Sequence, residues 1–324
     1  MTLSVSTSRA RGCLFGQIAG DNLGALVEFR SAESIATQYP GGGPYLLADG
    51  GCWNILAGQP TDDSEMALAL ARMCLKVGGY NPFDAATAYI AWGGSRPFDM
   101  GGTTRAALFA LERGQAPSTG TSQANGALMR VSPLGILFAG NPQGAADAAE
   151  EDALLTHPHP VTVACNRAYA AAVAVLVSGG STDQAFDLAY ELAGRHDDER
   201  IEPVTDALDR AVNSILPADY QHQMGWVLTA FQNAFCWLMR GVRFEDAVVE
   251  TVRLGGDTDT NAAIVGALLG ARDGVSAIPA QWVEAIEACK PGPGTRCPRP
   301  ATYWPDDAAE IADALLALSG RVKA

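Results

Sequence analysis

The chain has 324 residues, of which 48% are hydrophobic and 18% charged, and its net charge at pH 7 is −14. This acidic balance argues against a nucleic-acid partner, because binding to a phosphate backbone needs a concentrated basic face. The longest apolar stretch, residues 168–177, is shorter than the ~20 residues of a membrane-spanning helix. The seven cysteines are scattered, without CxxC spacing, and no apolar leader opens the chain. We therefore predict a monomeric cytoplasmic protein with free cysteines and no membrane contact.

Helical patterns follow one another along the chain, because apolar residues recur at three- and four-residue steps and no segment alternates with period two. In the first predicted helix, glycines spaced by four (Gly12, Gly16, Gly20 and Gly24) make a smooth stripe that lets another backbone approach closely. Gly266 and Gly270 repeat this device near the other end. The further predicted helices span residues 66–77, 161–177, 227–239, 244–253, 262–271 and 308–318. The sequence thus predicts an all-α fold.

Three loops interrupt these helices, at residues 41–60, 114–123 and 291–305. None has the sustained polar composition of an interdomain linker. We therefore expect one domain over residues 1–324, with a Pro-rich loop at 289–305 before a terminal helix at 306–320.

Two acidic clusters stand at nearly opposite ends of the chain, TDDSE at 61–65 and GGDTDTN at 255–261. Each precedes a predicted helix, so one interpretation is N-capping, with capping-box spacing between Asp62 and Glu65. The other is metal binding, because paired aspartates with threonine hydroxyls are hard oxygen ligands of Mg²⁺ or Mn²⁺. If the two helix starts meet, four carboxylates converge and repel one another. A dinuclear metal site would resolve that repulsion.

Six short motifs in a fixed order resemble the ADP-ribosylglycohydrolase family, most closely the bacterial dinitrogenase reductase-activating type. The matching segments cover about residues 10–280 and are GDNLGALVEF (20–29), GQPTDDSEM (58–66), SRPFDMG (95–101), NGALMR (125–130), THPHP (156–160) and GGDTDT (255–260). The resemblance implies a compact all-α orthogonal helical bundle with a dinuclear metal cleft. It also implies metal-dependent hydrolysis of the N-glycosidic bond of ADP-ribosylated arginine on a protein substrate, with release of ADP-ribose.

Matching positions carry the family's functional residues onto this chain. The two divalent cations, Mg²⁺ or Mn²⁺, would be ligated by Thr61, Asp62, Asp63, Asp257, Asp259 and Thr260. Asp99 matches a position implicated as a base in the arginine-directed bacterial enzymes, and Glu28 matches an acidic residue that other branches use at the metal centre or as a gate. Both are candidate catalytic residues, because breaking an N-glycosidic bond needs both a proton donor and an activated nucleophile. The predicted substrate-binding residues are Asn125, Gly126, Met129, His157, His159 and Trp226. For Arg130 we expect a structural ion pair.

Some positions depart from the family pattern, so other functions stay open. Trp226 stands in a segment where many members have Gly-Tyr-Val-x-Asp, Gly102 replaces an asparagine, and the 289–305 loop is an addition. One alternative keeps the chemistry but acts on another conjugate of ADP-ribose, such as serine or O-acetyl-ADP-ribose. Another is a non-catalytic ADP-ribose-binding or immunity protein.

Overall fold

The computed structural model describes residues 3–117, 119–194 and 201–321. Within these ranges the regular structure is helical, and three isolated β-bridges take the place of any sheet. The helices are α1 Val5–Ala25, α2 Ala32–Gln38, α3 Asp62–Val77, α4 Pro82–Gly94, α5 Gly102–Leu111, α6 Ser132–Leu137, α7 Pro142–Leu154, α8 Pro160–Val177, α9 Thr182–Gly194, α10 Glu202–Val212, α11 Val227–Arg240, α12 Phe244–Arg253, α13 Thr258–Asp273, α14 Ala280–Ala288 and α15 Ala308–Ser319. The all-α prediction is confirmed.

The predicted helices at 161–177, 227–239, 244–253 and 308–318 agree with α8, α11, α12 and α15 within two residues. Two helices begin four residues earlier than predicted: α3 begins at Asp62 instead of residue 66, and α13 begins at Thr258 instead of residue 262. Both acidic clusters therefore reach into the first turn of a helix rather than only preceding it. The described part of the chain shares one main hydrophobic core, as expected of one compact domain.

Helix α8 is long and apolar enough to cross a membrane by length and composition alone, but 83% of it is buried inside the protein. Its Ala-rich surface packs against α7 and α9. It is the central core helix that its composition predicted. The seven cysteines are all free, as predicted.

The central contact of the fold is the antiparallel packing of α1 against α13. A Cβ atom on Gly16 would clash with the carbonyl oxygen of Gly266, and one on Gly12 would clash with that of Gly270. Only glycine lets the two backbones come this close. The predicted close approach along the glycine stripe is confirmed, and it places the C-terminal end of α1 beside the N-terminal end of α13.

Replacing Gly16 by alanine should destabilise the protein by about 2–3 kcal/mol, because the new methyl group meets backbone that cannot rotate away. Urea denaturation of the metal-free protein measures this change. The matched control is Gly94→Ala at the last residue of α4, where a Cβ would meet open space. That substitution should leave stability unchanged or slightly higher. Equal effects of the two substitutions would contradict a tight crossing.

Candidate active site

A cleft of about 250 Å³ opens where the C-terminal end of α1 meets the N-terminal ends of α3 and α13. The cleft is lined by Glu28, Phe29, Asp62, Asp99, Gly101, Gly102, Thr103, Thr104, Ala124, Asn125, Gly126, Met129, His157, Met224, Gly225, Asp257, Asp259 and Thr260. This lining contains five carboxylates and no lysine or arginine.

The first acidic cluster is held by Asp21 of α1, which is completely buried. Its carboxylate accepts hydrogen bonds from the backbone N–H groups of Thr61 and Ser64, at 3.1 and 3.0 Å, and from the Thr61 hydroxyl at 2.9 Å. Asp21 therefore caps α3, and no side-chain capping bond comes from Thr61 itself. This arrangement leaves Asp62 to line the cleft and places Asp63 beneath it.

The second acidic cluster is held by the start of α13. The Thr258 hydroxyl donates to the Gly24 carbonyl oxygen at 2.7 Å, which ties α13 to the end of α1. Asp257 accepts a 2.7 Å hydrogen bond from the Asn125 amide, and its own side chain caps nothing. The N-cap residues Thr61 and Asp257 make no side-chain capping bond, and in the second cluster Asp259 Oδ1 accepts a hydrogen bond from the Thr260 N–H at 2.9 Å. The capping interpretation therefore does not account for Asp62 and Asp257.

Glu28, Asp99 and Asp259 form a compact carboxylate group, with one oxygen of each within 4.8 Å of the others. They come from three separate segments of the chain. The Trp53 indole N–H donates to Glu28 Oε2 at 2.7 Å, and its ring lies 5.8 Å from that of Phe98, the neighbour of Asp99. Trp53 thus links the two segments that carry the predicted catalytic acids.

Burial strongly disfavours ionisation of these acids. It raises the pKa of Asp62, Asp63 and Asp259 well above the ordinary aspartate value, and repulsion by neighbouring carboxylates adds to the rise. Burial, and then the charge of Asp99, raise the pKa of Glu28 to about 8. Burial, and then a neighbouring aspartate, raise the pKa of Asp99 to about 6. In the metal-free protein these groups cannot all be charged near neutral pH.

The residues of the cleft fit a divalent cation. The donors are hard carboxylate and hydroxyl oxygens, which Mg²⁺ and Mn²⁺ prefer. The buried Asp63 Oδ1 has no hydrogen-bond partner in the described part of the chain, and it lies under the acid-lined wall. A cation would supply both that partner and the missing positive charge. The acidic cluster could therefore hold a metal.

A protein-family model described as ADP-ribosylglycohydrolase matches residues 2–323. The chain belongs to the ADP-ribosylglycohydrolase family. It is 31% identical to ADP-ribosyl-[dinitrogen reductase] glycohydrolase of Rhodospirillum rubrum, over 86% of this chain and 90% of that protein. It is 27% identical to ADP-ribosylarginine hydrolase Tri1 of Pseudomonas putida, over 88% and 76%. A solved structure, an ADP-ribosylglycohydrolase-related protein complex, is 25% identical with a TM-score of 0.77, over 98% of this chain and all of that one.

In this family member, the predicted substrate-binding residues divide into two groups. Asn125, Gly126, Met129 and His157 all line the cleft. Burial and the charge of Arg130 lower the pKa of His157 to about 3, so its ring is neutral. Its buried Nε2 has no hydrogen-bond partner among the described residues.

The remaining two, His159 and Trp226, are outside the cleft lining. His159 is the N-cap of α8, and its Nδ1 accepts a hydrogen bond from the Val161 N–H at 3.2 Å. The Trp226 indole donates to the Gln123 side chain at 2.9 Å, and its ring borders a neighbouring depression formed with α10. Their role in substrate binding stays a prediction.

Arg130 forms the structural ion pair that was expected, with its Nε 2.9 Å from Asp152 and both side chains fully buried. Asp21, Trp53 and Arg299 were missed by the sequence analysis. Asp21 lies in the GDNLGALVEF motif, directly after Gly20 of the glycine stripe, and that position was an available signal. Trp53 and Arg299 lie in loops without periodicity, and their contacts exist only in three dimensions.

The stability of the metal-free protein should fall as pH rises. The folded-state pKa of each clustered acid is above its unfolded value, so the folded chain holds more protons. The contribution of these groups to the free energy of unfolding is fully present below pH of about 4. It is lost as the pH rises through the folded-state pKa values, about 6 for Asp99 and about 8 for Glu28. Thermal unfolding in EDTA at several pH values measures this loss.

Added Mn²⁺ or Mg²⁺ should raise the unfolding temperature, and most strongly at the alkaline end of that range. An Asp62→Asn/Asp259→Asn double variant serves as control, since it should show a flatter pH profile and little response to metal. A metal-free unfolding temperature that increases between pH of about 5 and about 8 would contradict this account.

Proposed function

We propose that this protein hydrolyses the N-glycosidic bond of ADP-ribosylated arginine on a protein substrate, in a reaction that depends on two divalent cations. The observation that carries the proposal is the convergence of Glu28, Asp99 and Asp259 within 4.8 Å, in a cleft that also contains Asp62 and Asp257. Such a concentration of buried carboxylates is costly unless it binds cations or performs proton transfer.

The two cations, Mg²⁺ or Mn²⁺, would be held by oxygens from both helix starts: Thr61, Asp62, Asp63, Asp257, Asp259 and Thr260. When bound, they would supply a template for the ribose hydroxyls and Lewis acidity toward water and substrate. The burial of Asp63 and Asp259 and the hydrogen bonds that hold Asp21 against α3 support a rigid ligand set. Rigid supports of this kind preorganise a metal site.

Two carboxyl groups of the chain would transfer protons at the distal ribose. Asp99 would accept a proton from water as the water oxygen bonds to C1″. Glu28 would give a proton to the guanidino nitrogen as the C1″–N bond breaks. The Trp53 N–H occupies Glu28 Oε2, which leaves Oε1 for this role. Both carboxyl groups then exchange protons with solvent, and the products are ADP-ribose and the unmodified arginine side chain of the protein.

The diphosphate of the substrate would lie at the N-terminal end of α5. Gly101 and Gly102 line the cleft there, and the N-cap residue Gly101 has no side chain with which to cap this helix. Uncapped amides at the start of a helix and the helix dipole favour an anion. Asn125 and the neutral His157 ring stand across the cleft lining as polar contacts for the riboses. We further propose that Trp226 and His159 contact the far end of the substrate, outside the main cleft.

The arginine linkage is supported by the relatives whose names state it, the Tri1 hydrolases at 26–27% identity. The chain keeps an acid at each aspartate position that its resemblance to the family assigns to the metals, and this favours turnover over simple binding. We also propose that the protein acts as a monomer in the cytoplasm, without nucleic-acid or membrane partners. The net charge of −14 and the seven free cysteines support that part of the proposal.

The test is to incubate the purified protein with arginine- and serine-ADP-ribosylated peptides, in Mg²⁺, Mn²⁺ or EDTA, and to measure free ADP-ribose. We expect metal-dependent release from the arginine peptide. Asp62→Ala and Asp257→Ala should each lower kcat/KM by more than about a hundredfold, since losing a metal ligand should exceed the 10–100-fold cost of losing its supporting partner. The matched control is Asp246→Ala on α12, an exposed acid paired with Arg243.

Each alternative has its own signature in this assay. Release from the serine peptide only would replace the arginine assignment with another linkage. No release from either peptide, together with retained binding of ADP-ribose by calorimetry, would overturn the hydrolase and indicate a binding protein. Release that is equal in EDTA and in Mg²⁺ would overturn the role of the cations.

A further inference from the structure

The Pro-rich loop of residues 289–305, called the C-terminal strap below, lies across α3 close to the cleft. The Gln59 side chain donates to the Cys297 carbonyl oxygen at 2.7 Å, just before the first acidic cluster. Farther along α3, Arg72 donates to the carbonyl oxygens of Thr302 and Trp304, both at 3.0 Å. The strap thus contacts the helix that carries Asp62 along several turns.

Arg299 is the one strap residue with a charged side chain buried in this contact. Its Nε and Nη2 atoms lie 2.7 and 2.8 Å from the two carboxylate oxygens of Glu65, and the side chains are 2% and 1% exposed. Glu65 sits in the first turn of α3, together with Asp62 and Asp63. This bidentate pair takes the place of the capping box that the sequence spacing suggested for Glu65.

The same guanidinium also holds the segment that carries Asp99. Its Nη1 donates to the Ser95 carbonyl oxygen at 3.1 Å, and its Nη2 donates to the Ser95 hydroxyl at 2.8 Å. Ser95 ends α4 and begins the turn that leads to Asp99. Arg96, the next residue, has a φ of 58°, so the chain turns sharply there. Arg299 therefore contacts the first turn of α3 and the base of the Asp99 segment at once.

The strap keeps this arginine in place from its own side. The Trp304 indole donates to the Arg299 carbonyl oxygen at 2.8 Å, and the Arg299 N–H donates to the Pro291 carbonyl oxygen at 2.6 Å. The guanidinium also lies 5.3 Å from the centre of the Tyr303 ring. Because its backbone and its side chain are both held by hydrogen bonds, Arg299 can fix the position of the end of α4 relative to the first turn of α3.

We propose that Arg299 is a positioning residue that sets the Asp99 segment relative to the acidic first turn of α3. This proposal rests on the proposed function, in which Asp99 handles a proton beside the ligands Asp62 and Asp63. A direct contact shows how closely the two elements must fit, because Asp62 Oδ2 accepts a hydrogen bond from the Gly101 N–H at 3.4 Å. Displacements of about 1 Å in such a site lower rates by up to about a hundredfold.

Exchanging a buried pair for apolar residues of similar volume is often neutral for folding, but Glu65 Oε2 also accepts a 2.8 Å hydrogen bond from the buried Trp92 indole N–H. A Glu65→Leu/Arg299→Met double variant should therefore stay folded with a lowered unfolding temperature, because that N–H loses its acceptor, while the oxygens of Ser95 lose their Arg299 donor. We expect kcat to fall by roughly ten- to a hundredfold, with KM changed less than about twofold because the cleft lining is intact.

Two further variants control for folding. Arg299→Lys keeps a charge beside Glu65 but cannot reach both oxygens and Ser95 together, so it should also lower kcat. Arg72→Met removes another strap contact on the same helix, an arginine that is paired with Asp307 at 2.6 Å. It should reduce stability and leave kcat unchanged. An equal loss of kcat in Arg72→Met would overturn the specific role of Arg299.

A thermodynamic cycle with Asp99→Asn identifies the residue through which Arg299 acts. In the Asp99→Asn background, single-turnover rates should respond to the Glu65→Leu/Arg299→Met change by less than about twofold, since the group that it positions is already disabled. If the Glu65→Leu/Arg299→Met change lowered the rate by the same factor with Asp99 and with Asn at position 99, the proposal would be overturned. A general structural defect lowers the rate independently of Asp99, so its effect would be the same in both backgrounds.

Hydrogen exchange separates this proposal from the proposed function. In the double variant, the backbone amides of residues 96–101 should exchange faster than in the wild type, and those of α8 should exchange at the same rate. This result is expected whether or not the protein turns over a peptide. If the wild type releases no ADP-ribose but this local change occurs, the proposed function fails and the positioning role stands. If the wild type is active and residues 96–101 exchange as before, the positioning role fails alone.

Discussion

The structure depends on the direct backbone contact between α1 and α13. Helices with larger side chains pack 8–10 Å apart, whereas the stripe from Gly12 to Gly24 removes the side chains that would separate these two. The contact fixes the relative position of residues more than 230 apart in the chain, such as Gly24 and Thr258. It therefore decides where the acids at the end of one helix and the start of the other will stand.

The electrostatic consequence is a group of like charges inside the protein. Three helix ends bring their carboxylates to one cleft, and hydrogen bonds from Thr61, Trp53 and Asn125 orient individual oxygens without supplying positive charge. Helix N-termini offset some of this repulsion through their dipoles, but the raised pKa values show that they do not remove it. A cation that bound only the folded form would therefore stabilise it.

The arginines of the protein have a different task. Arg130 and Arg299 are both buried against carboxylates, yet neither lines the cleft. Arg130 joins α7 to the turn before α6, and its charge helps to keep His157 neutral. Arg299 joins the C-terminal strap to α3 and to the end of α4. These two arginines therefore stabilise the elements around the site, and the cleft lining itself contains no arginine or lysine that would repel a cation.

Local patterns in the sequence were sufficient for the all-α class, for α8, α11 and α12, and for the clusters that begin at Thr61 and Asp257, because periodicity and residue type are encoded over a few neighbouring positions. The glycine spacing also predicted the close helix crossing. The tertiary structure alone decided that Asp21 rather than Thr61 caps α3, that Glu65 pairs with Arg299, and that Trp226 borders a separate depression. These outcomes depend on which side chain the folded structure brings into contact with a buried polar atom. The candidate partners are distant in the chain, so no local sequence pattern specifies which of them makes the contact.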